Sequence, residues 1–476
     1  MAPEDDHPCY WRSVAEERAG EIADLKQKLA ALERRVLGPK SEKMPPMSGE
    51  VAKERPRDPE EAKRKRREAL AAKASVETTT VDIPVPAEER QCPACGNQEL
   101  KTVGEGTPSS IYDYVRGHFR KRLYRRETLS CSCGDYIVKA PPPDRVDDNC
   151  QYSASFIAFI IVSKCEDGLP FYRLAKMISR SGVPAARSTL TDLFHRGADL
   201  LAPLSARLIE RVAEEQIVFA DETSIKMLEG NKRAFIWTFL GGDLIGYEFS
   251  PDRSGETPSR VLGDSQGELV VDMYTGYNAI TQPGKRRRAG CLAHARRKVF
   301  EAKEDPAAAA ALEIIRDVYV VEHDARAAGI EGTSDHLELR RSRTRPLMAR
   351  LLSWARDVRR THNPKSPLGG AARYIARNHA ALTRFTRVAA LPPDNNRSEA
   401  ALRRVALGRK NYLFVGNEDA GKNTAGLFSL VASCAHNEVD PIAYLSDVLV
   451  RVGSHPQSRI DELLPDKWRP PEATDR

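Results

Sequence analysis

The feature of this sequence that most constrains its fold is a change of hydrophobic pattern near Gln216, where a helical pattern gives way to short apolar runs typical of β-strands. The runs predict strands at 217–220, 235–240, 244–250 and 269–271, with a helix near 257–264. Asp221 follows the first run directly, and Asp272 follows the last. Because a buried, β-branched strand holds its backbone rigidly, we expect each aspartate to end its strand at a fixed place on the sheet edge.

A third carboxylate, Glu399, lies in a segment with two asparagines and several arginines, at 392–404. Glu399 could simply pair with Asn396 in a helix cap or with Arg403 on the helix surface. The asparagines and arginines instead favour a strand of phosphates lying against a metal site. Three converging carboxylates repel one another unless a cation neutralises them, and oxygen ligands favour Mg²⁺ or Mn²⁺. Two such ions, about 3.5 to 4 Å apart, suit in-line displacement at a phosphodiester.

Seven short motifs follow one another between residues 37 and 414: LGPKSEK, CPACG, ADET, DMYTGYN, CLAHARR, DNNRSE and GRKNYLF. In this order they resemble the IS66 type of bacterial insertion-sequence transposases. The resemblance implies an RNase H-like fold and an acidic triad of Asp221, Asp272 and Glu399. Two positions depart from the family pattern: Met273 replaces a usual glycine and could crowd the metal site, and Leu292 replaces a usual tryptophan.

The expected fold class is a multidomain α/β protein, in which an RNase H-like core is interrupted by an all-α insertion. A coiled-coil helix, a small zinc ribbon and a helical DNA-binding region precede that core. The expected segments are a dimerisation helix at 1–43, a basic linker at 44–84, a zinc-ribbon module at 85–140, a helix-turn-helix-like region at 150–212, the first part of the core at 213–298, the insertion at 299–390, the last part of the core with Glu399 at 391–452, and a tail at 453–476.

Two tight cysteine pairs resemble the knuckles of a zinc ribbon, in which four thiolates hold one Zn²⁺. The predicted ligands are Cys92, Cys95, Cys131 and Cys133. The second pair is one residue shorter than the family tends to have, so His118 or Cys150 could substitute for Cys133. Aromatic residues alternate with arginines between the pairs, which favours DNA contact over a merely basic face. The arginines concerned are Arg116, Arg120 and Arg122.

Further DNA contacts are predicted around the acidic residues. His294 could approach the scissile phosphate or orient a carboxylate, although a histidine at a helix start is more often structural. The other candidates are Arg296, Arg297, Asn395, Asn396, Arg403, Arg409 and Lys410. Of these, Arg403, Arg409 and Lys410 are the better candidates for clamping phosphate, because they share a segment with Glu399.

Two helical patterns are open to two interpretations each. Apolar residues at steps of three and four within 11–37 predict a dimerising coiled coil or an ordinary amphipathic helix. The segment 174–193 has the helix, glycine turn and second helix of a helix-turn-helix. Its second helix carries few basic residues, so plain helical packing explains it equally well.

Composition agrees with a nucleic-acid enzyme: 30% of residues are charged and the net charge is +7. Local basic runs at 63–67, 285–288 and 340–345 are more often solvated faces than defined contacts. Nine cysteines, an odd number, favour reduced thiols and a metal over disulfides. The polar start of the chain and the short apolar run at 156–162 predict a cytoplasmic protein without a membrane segment.

One motif is rejected. The segment 416–423 nearly matches a nucleotide-binding phosphate loop, but Asn423 stands where that loop needs a hydroxyl. Glu418 and Asp419 would also repel phosphate. We expect a glycine-rich loop here and no ATP site.

The sequence therefore predicts a DNA transposase that binds the terminal inverted repeats of its element, cuts at the ends and joins them to target DNA. A homodimer or higher assembly on DNA and companion proteins of the same element are the expected partners. The alternative is a non-catalytic, zinc-dependent DNA-binding protein derived from a transposase. A metal-dependent nuclease that cuts without joining would share the acidic triad.

Overall fold

The computed structural model describes residues 150–412 and 414–470, with Phe119, Val146 and the backbone of two short strands, β1 (Thr128–Ser130) and β2 (Ile137–Lys139). β1 and β2 pair antiparallel, with Leu129 opposite Val138. Several predicted features lie outside the described residues: the coiled-coil helix, the basic linker, the four zinc-ribbon cysteines, His118, and Arg116, Arg120 and Arg122.

Among the described residues, three helices precede the main sheet: α1 (Ala154–Cys165), α2 (Phe171–Arg180) and α3 (Arg187–Glu214). Ser153 caps α1 by accepting the Phe156 N–H. Gly182 has φ +87° in the turn between α2 and α3, a conformation that favours glycine. The second helix of the predicted helix-turn-helix is α3, which is 28 residues long. From Leu190 onward its apolar side is buried in the core, so α3 serves as a core helix.

The main sheet has six strands, of which five form the order β5-β4-β3-β6-β7. The first three are antiparallel, β6 and β7 add in parallel, and β8 pairs in parallel with the far end of β3. A helix, α4 (Glu256–Leu262), crosses from β5 to β6. The strands are β3 (Ile217–Met227), β4 (Lys232–Gly241), β5 (Leu244–Ser250), β6 (Glu268–Val271), β7 (Arg287–Gly290) and β8 (Phe414–Val415).

The prediction that Asp221 ends its strand is wrong, because β3 continues to Met227 and Asp221 pairs with Thr238 of β4. The antiparallel hairpin with β4 supplies hydrogen-bond partners along the whole strand. Its other neighbour, β6, pairs only as far as Phe219. Asp221 therefore lies inside a strand, at the point where one of its edges becomes free.

The chain beyond β7 is almost entirely helical. A π-helical turn, Arg340–Thr344, joins the third and fourth of the helices that follow. The helices are α5 (Leu292–Phe300), α6 (Pro306–Ala327), α7 (Ser334–Leu339), α8 (Arg345–Thr361), α9 (Pro367–Leu382), α10 (Asn396–Tyr412), α11 (Glu418–His436) and α12 (Pro441–Arg451). The segment predicted as an all-α insertion thus holds α6 to α9 between the sheet and α10. No helix in the described part of the chain is long and apolar enough to span a membrane.

Two hydrophobic cores cover opposite faces of the sheet. Along β3, Val218 and Ala220 belong to the core with α1, α3 and α11, whereas Phe219 belongs to the core with α5, α6, α8 and α9. Along β6, Val270 likewise faces the second core. Because successive strand residues point to opposite faces, this alternation fixes the direction of the residues that follow.

The basic runs at 285–288 and 340–345 are only partly solvated: Arg287, Arg341 and Arg343 are exposed, whereas Arg286 and Arg340 are each only 1% exposed. Arg286 donates to the carbonyl oxygens of Ala213 and Glu215, at the C-terminal end of α3. Helix ends leave carbonyls without intrahelical partners, so a buried guanidinium is stabilised there. The prediction of solvated charge is wrong for these two residues.

The prediction of a glycine-rich loop at 416–423 is also wrong, because α11 begins at Glu418. Asn417 caps this helix by accepting the Ala420 N–H. Asn423, in the second turn, donates to Asp199 of α3. The two acidic residues at 418 and 419 occupy the first turn, where negative charge is favoured.

Candidate functional site

The strand register brings Asp221 and Asp272 to the same level. The last parallel pair of β3 and β6 is Phe219 opposite Val270. Asp221 and Asp272 each come two residues after their member of this pair. Neighbouring strands are about 4.8 Å apart. Both aspartates follow residues of the second core by two positions, and therefore share the sheet face on which α5 and the insertion lie.

Local hydrogen bonds orient both carboxylates. Asp221 Oδ1 accepts the N–H of Glu222 at 2.9 Å, and Asp272 Oδ1 accepts the N–H of Tyr274 at 2.8 Å. Each aspartate therefore keeps its second oxygen available for another partner. The tip of the Met273 side chain lies against Gly290 of β7, where a Cβ would be 2.3 Å from the Met273 Cε. Whether Met273 crowds the metal site stays a prediction.

The start of α10 is fastened to the sheet beside Asp221. Asn395 donates from Nδ2 to the Ala220 carbonyl at 2.8 Å, where β3 has lost β6 as a neighbour. The Asn395 N–H points to the Cys291 sulfur at 3.3 Å, and the Leu292 N–H donates to the Pro393 carbonyl at 2.9 Å. These bonds place Glu399, in the first turn of α10, over the two aspartates.

Asp272 and Glu399 both act electrostatically on Asp221, although the oxygens of the three carboxylates do not all lie within 4.8 Å of one another. The pKa of Asp221 is raised to about 7, chiefly by burial and also by the negative charges of Glu222, Asp272 and Glu399, while its backbone hydrogen bond lowers it. Each carboxylate thus disfavours the ionised form of its neighbour. A cation at this position would remove that repulsion.

Glu222, which sequence reasoning did not select, is part of the same surroundings. Burial raises its pKa, while hydrogen bonds from Tyr277 and Arg253 lower it. The Tyr277 hydroxyl donates to Glu222 Oε2 at 2.7 Å, and the Arg253 Nε donates to Oε1 at 2.8 Å. With both oxygens engaged by protein donors, Glu222 is a structural neighbour and a poor metal ligand.

His294 and Arg297 of α5 reach Glu399. The His294 Nδ1 lies 3.7 Å from Glu399 Oε1, and an Arg297 nitrogen lies 3.8 Å from Oε2. Burial lowers the pKa of His294 below its usual value, although the charge of Glu399 raises it. His294 is therefore held mainly in its neutral form, which can bind a cation or accept a proton.

Buried polar atoms without hydrogen-bond partners gather at this site. Among the described residues they include Glu399 Oε1, His294 Nδ1, the Arg288 Nε and the Tyr374 hydroxyl. Arg288 and Tyr374 both interact electrostatically with Asp272. Buried polar groups are nearly always paired in native proteins, so such a concentration marks a place for bound ligands. The carboxylates suit cations, and Arg288 and Tyr374 suit an anionic oxygen.

The other predicted DNA contacts differ in their surroundings. Asn396, Arg297, Arg403 and Lys410 are exposed on α5 and α10, whereas Arg296 is half-buried against the Phe300 ring. Arg409 donates to the Thr223 hydroxyl at 2.9 Å and to the Ser224 carbonyl, and so fastens the end of α10 to β3. Its guanidinium is engaged with the protein rather than directed to solvent.

Arg288 and Tyr374 were missed by sequence reasoning for different reasons. Arg288 ends a basic run, and nothing in that run separates it from its neighbours. Tyr374 lies on α9 of the insertion, more than a hundred residues from Asp272. Only the packing of α9 against β7 and α5 brings its hydroxyl to the site.

Comparisons with known proteins show what this chain is similar to. A family model described as the IS66 family transposase matches residues 149–423, one for the IS66 C-terminal element matches 429–465, and one for the zinc-finger domain of IS66 transposases matches 89–134. The uncharacterized protein y4jD of Sinorhizobium fredii is 33% identical over 413 residues, covering 82% of this chain and 80% of its own length. The uncharacterized protein y4qI of the same organism is 29% identical, covering 85% of this chain and 78% of its own.

Proposed function

This chain belongs to the IS66 family of transposases, and we propose that it is an active enzyme that binds the terminal inverted repeats of its element, cuts the DNA there and joins the freed 3′ hydroxyls to target DNA. Asp221, Asp272 and Glu399 are the proposed catalytic carboxylates. The observation that carries the proposal is the β3–β6 register, which makes the two aspartates level on one sheet face, with Glu399 fastened over them.

We propose that the core is RNase H-like. The support is its strand order: three antiparallel strands, β5-β4-β3, followed by two parallel strands, β6 and β7. The helices α6 to α9 form the proposed insertion between this core and α10. Ligands of open sheets that contain parallel strands lie at the carboxyl ends of those strands. Asp272 follows the end of β6, and Asp221 lies just beyond the part of β3 that pairs in parallel with β6.

The residues at this site fit divalent cations. Three carboxylates, two of which act electrostatically on the third, favour hard ions such as Mg²⁺ or Mn²⁺. Bound there, such ions activate an attacking oxygen and stabilise a leaving one at a phosphodiester. Zinc is proposed for the cysteine module, on the strength of the family match to residues 89–134.

The protein's own side chains would position the DNA. Arg288 and Tyr374 offer buried donors beside Asp272, suited to a phosphate oxygen. Arg297, Arg403 and Lys410 are exposed cations around Glu399, suited to flanking phosphates. Asn395 holds the backbone of α10 to β3 and so fixes the separation of Glu399 from Asp221.

The test is joining of labelled DNA that carries the element's own ends, with Mg²⁺ or Mn²⁺ and the companion proteins present. We expect Asp221→Asn and Glu399→Gln to lower joining at least about a hundredfold, the usual loss when one preorganised charged group is removed. Binding of the ends should be largely kept. Glu418→Gln is the matched control, because Glu418 is also in a first helical turn but is paired with Lys422 at the surface.

Loss of end binding together with joining in the Glu399→Gln form would undermine the assignment. Binding without cutting in the parent and in both variants would instead favour a DNA-binding protein that has no catalytic activity. Cut ends that are never joined would favour a nuclease.

A further inference from the structure

A second group of metal-ligating side chains lies beside the proposed carboxylate site. Cys291 is the N-cap residue of α5, His294 is in its first turn, and Glu399 is in the first turn of α10. One ligand atom from each lies within 4.8 Å of the other two. No other cluster of this kind occurs in the part of the chain that the structure describes. Cys-x-x-His at a helix start presents both side chains in the same direction.

The distance between His294 and Glu399 does not fit a simple hydrogen bond. Their nearest atoms are 3.7 Å apart, and neither atom has a hydrogen-bond partner although both are buried. A direct hydrogen bond would bring them to about 2.9 Å. Two ligands of a tetrahedral ion, each about 2.0–2.1 Å from it, are about 3.3 Å apart. The observed separation is nearer to the second arrangement.

The sulfur of Cys291 accepts two backbone hydrogen bonds, from the N–H of Asn395 at 3.3 Å and from that of His294. Burial raises the pKa of this thiol, and the two hydrogen bonds partly offset that effect. Backbone donors aimed at a sulfur stabilise a thiolate, and the atoms around metal ligands commonly supply such hydrogen bonds. Cys291 is fully buried, so an uncompensated thiolate would be costly there and a bound cation would offset that cost.

We propose that Cys291, His294 and Glu399 form a second metal site, which takes a divalent transition-metal ion, Zn²⁺ above all. As the sulfur–metal bond forms, the thiol proton leaves to solvent. Three protein ligands leave one position of a tetrahedral ion open. Thiolate and imidazole favour such an ion over Mg²⁺, whereas Asp221 and Asp272 offer only oxygen.

The site extends beyond the proposed function and depends on it only in sharing Glu399. Glu399 Oε1 faces His294, and Oε2 faces Arg297. Because a carboxylate has two oxygens, Glu399 can bind this ion through one and keep the other for the carboxylate site. The ion would then act on the reaction by positioning Glu399.

The experiment measures zinc in the full-length protein after equilibration with Zn²⁺ and removal of the unbound metal. The variants are Cys291→Ser and His294→Gln. Cys434→Ser is the matched control, because Cys434 is also a buried free thiol but lies on α11, outside both proposed zinc sites. Zinc held by the cysteine module is common to all forms and cancels in the comparison.

We expect the parent and the control to hold one more zinc ion per chain than either variant, with the same circular dichroism in all four. With Co²⁺ in place of Zn²⁺, the thiolate-to-cobalt absorption should be weaker in Cys291→Ser than in the parent. Excess Mg²⁺ should not displace the extra ion. Equal zinc content in the parent and in a folded His294→Gln form would overturn the proposal.

Failure of this proposal and failure of the proposed function give different results. Asp221→Asn should lose joining but keep the extra zinc ion. If the parent joins DNA but holds no extra zinc ion, only the proposal of the second metal site is refuted. If the parent does not join DNA but loses one zinc ion on Cys291→Ser, only the proposed catalytic activity is refuted.

Discussion

Arg340 provides a test of how the insertion is tied to the segment that leads into α10. Its guanidinium is 1% exposed and makes two hydrogen bonds to the Glu322 carboxylate, at 2.8 and 2.6 Å. It also donates to four main-chain carbonyls at 2.8 to 3.1 Å, those of Phe385, Val388, Ala389 and Leu391. These carbonyls belong to the connection between α9 and α10.

Replacing Arg340 with methionine keeps the bulk of the side chain and removes every donor. Breaking a buried ion pair from one side costs about 3–5 kcal/mol, because the other charge is left buried and unpaired. Here that charge is Glu322, which is 9% exposed and would keep His336, at 3.3 Å, as its remaining partner. Each of the four orphaned carbonyls costs about 1 kcal/mol more, unless the connection shifts to reach water. We expect the free energy of unfolding of the insertion to fall by about 7–9 kcal/mol if the connection stays in place, and by about 3–5 kcal/mol if it shifts.

Arg343→Met is the matched control. Arg343 is three residues from Arg340 and pairs with Asp324 at 2.7 Å, and Asp324 is two residues from Glu322. In this pair, however, both side chains are more than 40% exposed. A surface pair of this kind is worth about 0–1 kcal/mol. The two variants therefore compare a buried and an exposed pair between the same two segments.

The measurement is hydrogen exchange of the α6 and α8 amides, which reports the opening free energy of the insertion itself. Urea denaturation followed by circular dichroism gives the effect on the whole chain. If Arg340→Met lowers the opening free energy by less than about 1 kcal/mol, or by no more than Arg343→Met, the reasoning from burial is refuted.

Two further predictions concern the sheet. Because the folded protein raises the Asp221 pKa from 3.8 to about 7, it binds that proton more tightly than the unfolded chain does, and the metal-free protein should lose up to about 4 kcal/mol of stability as pH rises through that range. Asp221→Asn should therefore raise the melting temperature at pH 8 but not at pH 4, and added Mg²⁺ should stabilise the parent alone; identical pH profiles would contradict this. Gly290→Ala should cost about 1–2 kcal/mol, since its Cβ would lie 2.3 Å from the flexible tip of Met273 and 3.2–3.3 Å from the side chain and backbone nitrogen of Leu382. Met273→Ala in the same chain should recover most of that loss in a melting measurement, and an unchanged melting temperature on adding it would show that the two do not pack together.

Strands with a strong apolar pattern could be predicted from the sequence. The expected strand at 244–250 matches β5, and the expected helix near 257–264 lies within a residue or two of α4. β7 and β8 were not predicted, because β7 consists of Arg287–Gly290 and β8 has only two residues. Both depend on a parallel partner that is distant in sequence. Asp221 fell inside β3 because the β4 hairpin, a pairing beyond the apolar run, extends the strand.

Of the carboxylates selected from the sequence, Asp221 and Asp272 lie level on neighbouring strands, and the role of all three stays a prediction. Most of the groups around them were not selected. A polar residue after an apolar run is visible in a sequence. The burial of Arg286 and Arg340 is not, because it depends on carbonyls left over at the ends of other segments. The same limit applies to Tyr374, whose hydroxyl reaches the site only through the packing of α9.

Helix α10 is fastened to β3 at both ends, by Asn395 near its start and by Arg409 near its end. Glu399 and Asp221 are therefore parts of one rigid body, and neither can close on a substrate independently of the other. Any adjustment needed to align a phosphodiester with the carboxylates must come from the nucleic acid, as bending or unpairing at the element's end. If the proposed carboxylates keep a fixed separation, the DNA must deform to fit them. DNA that is easily deformed at the cut site should then react faster than stiff DNA of the same affinity.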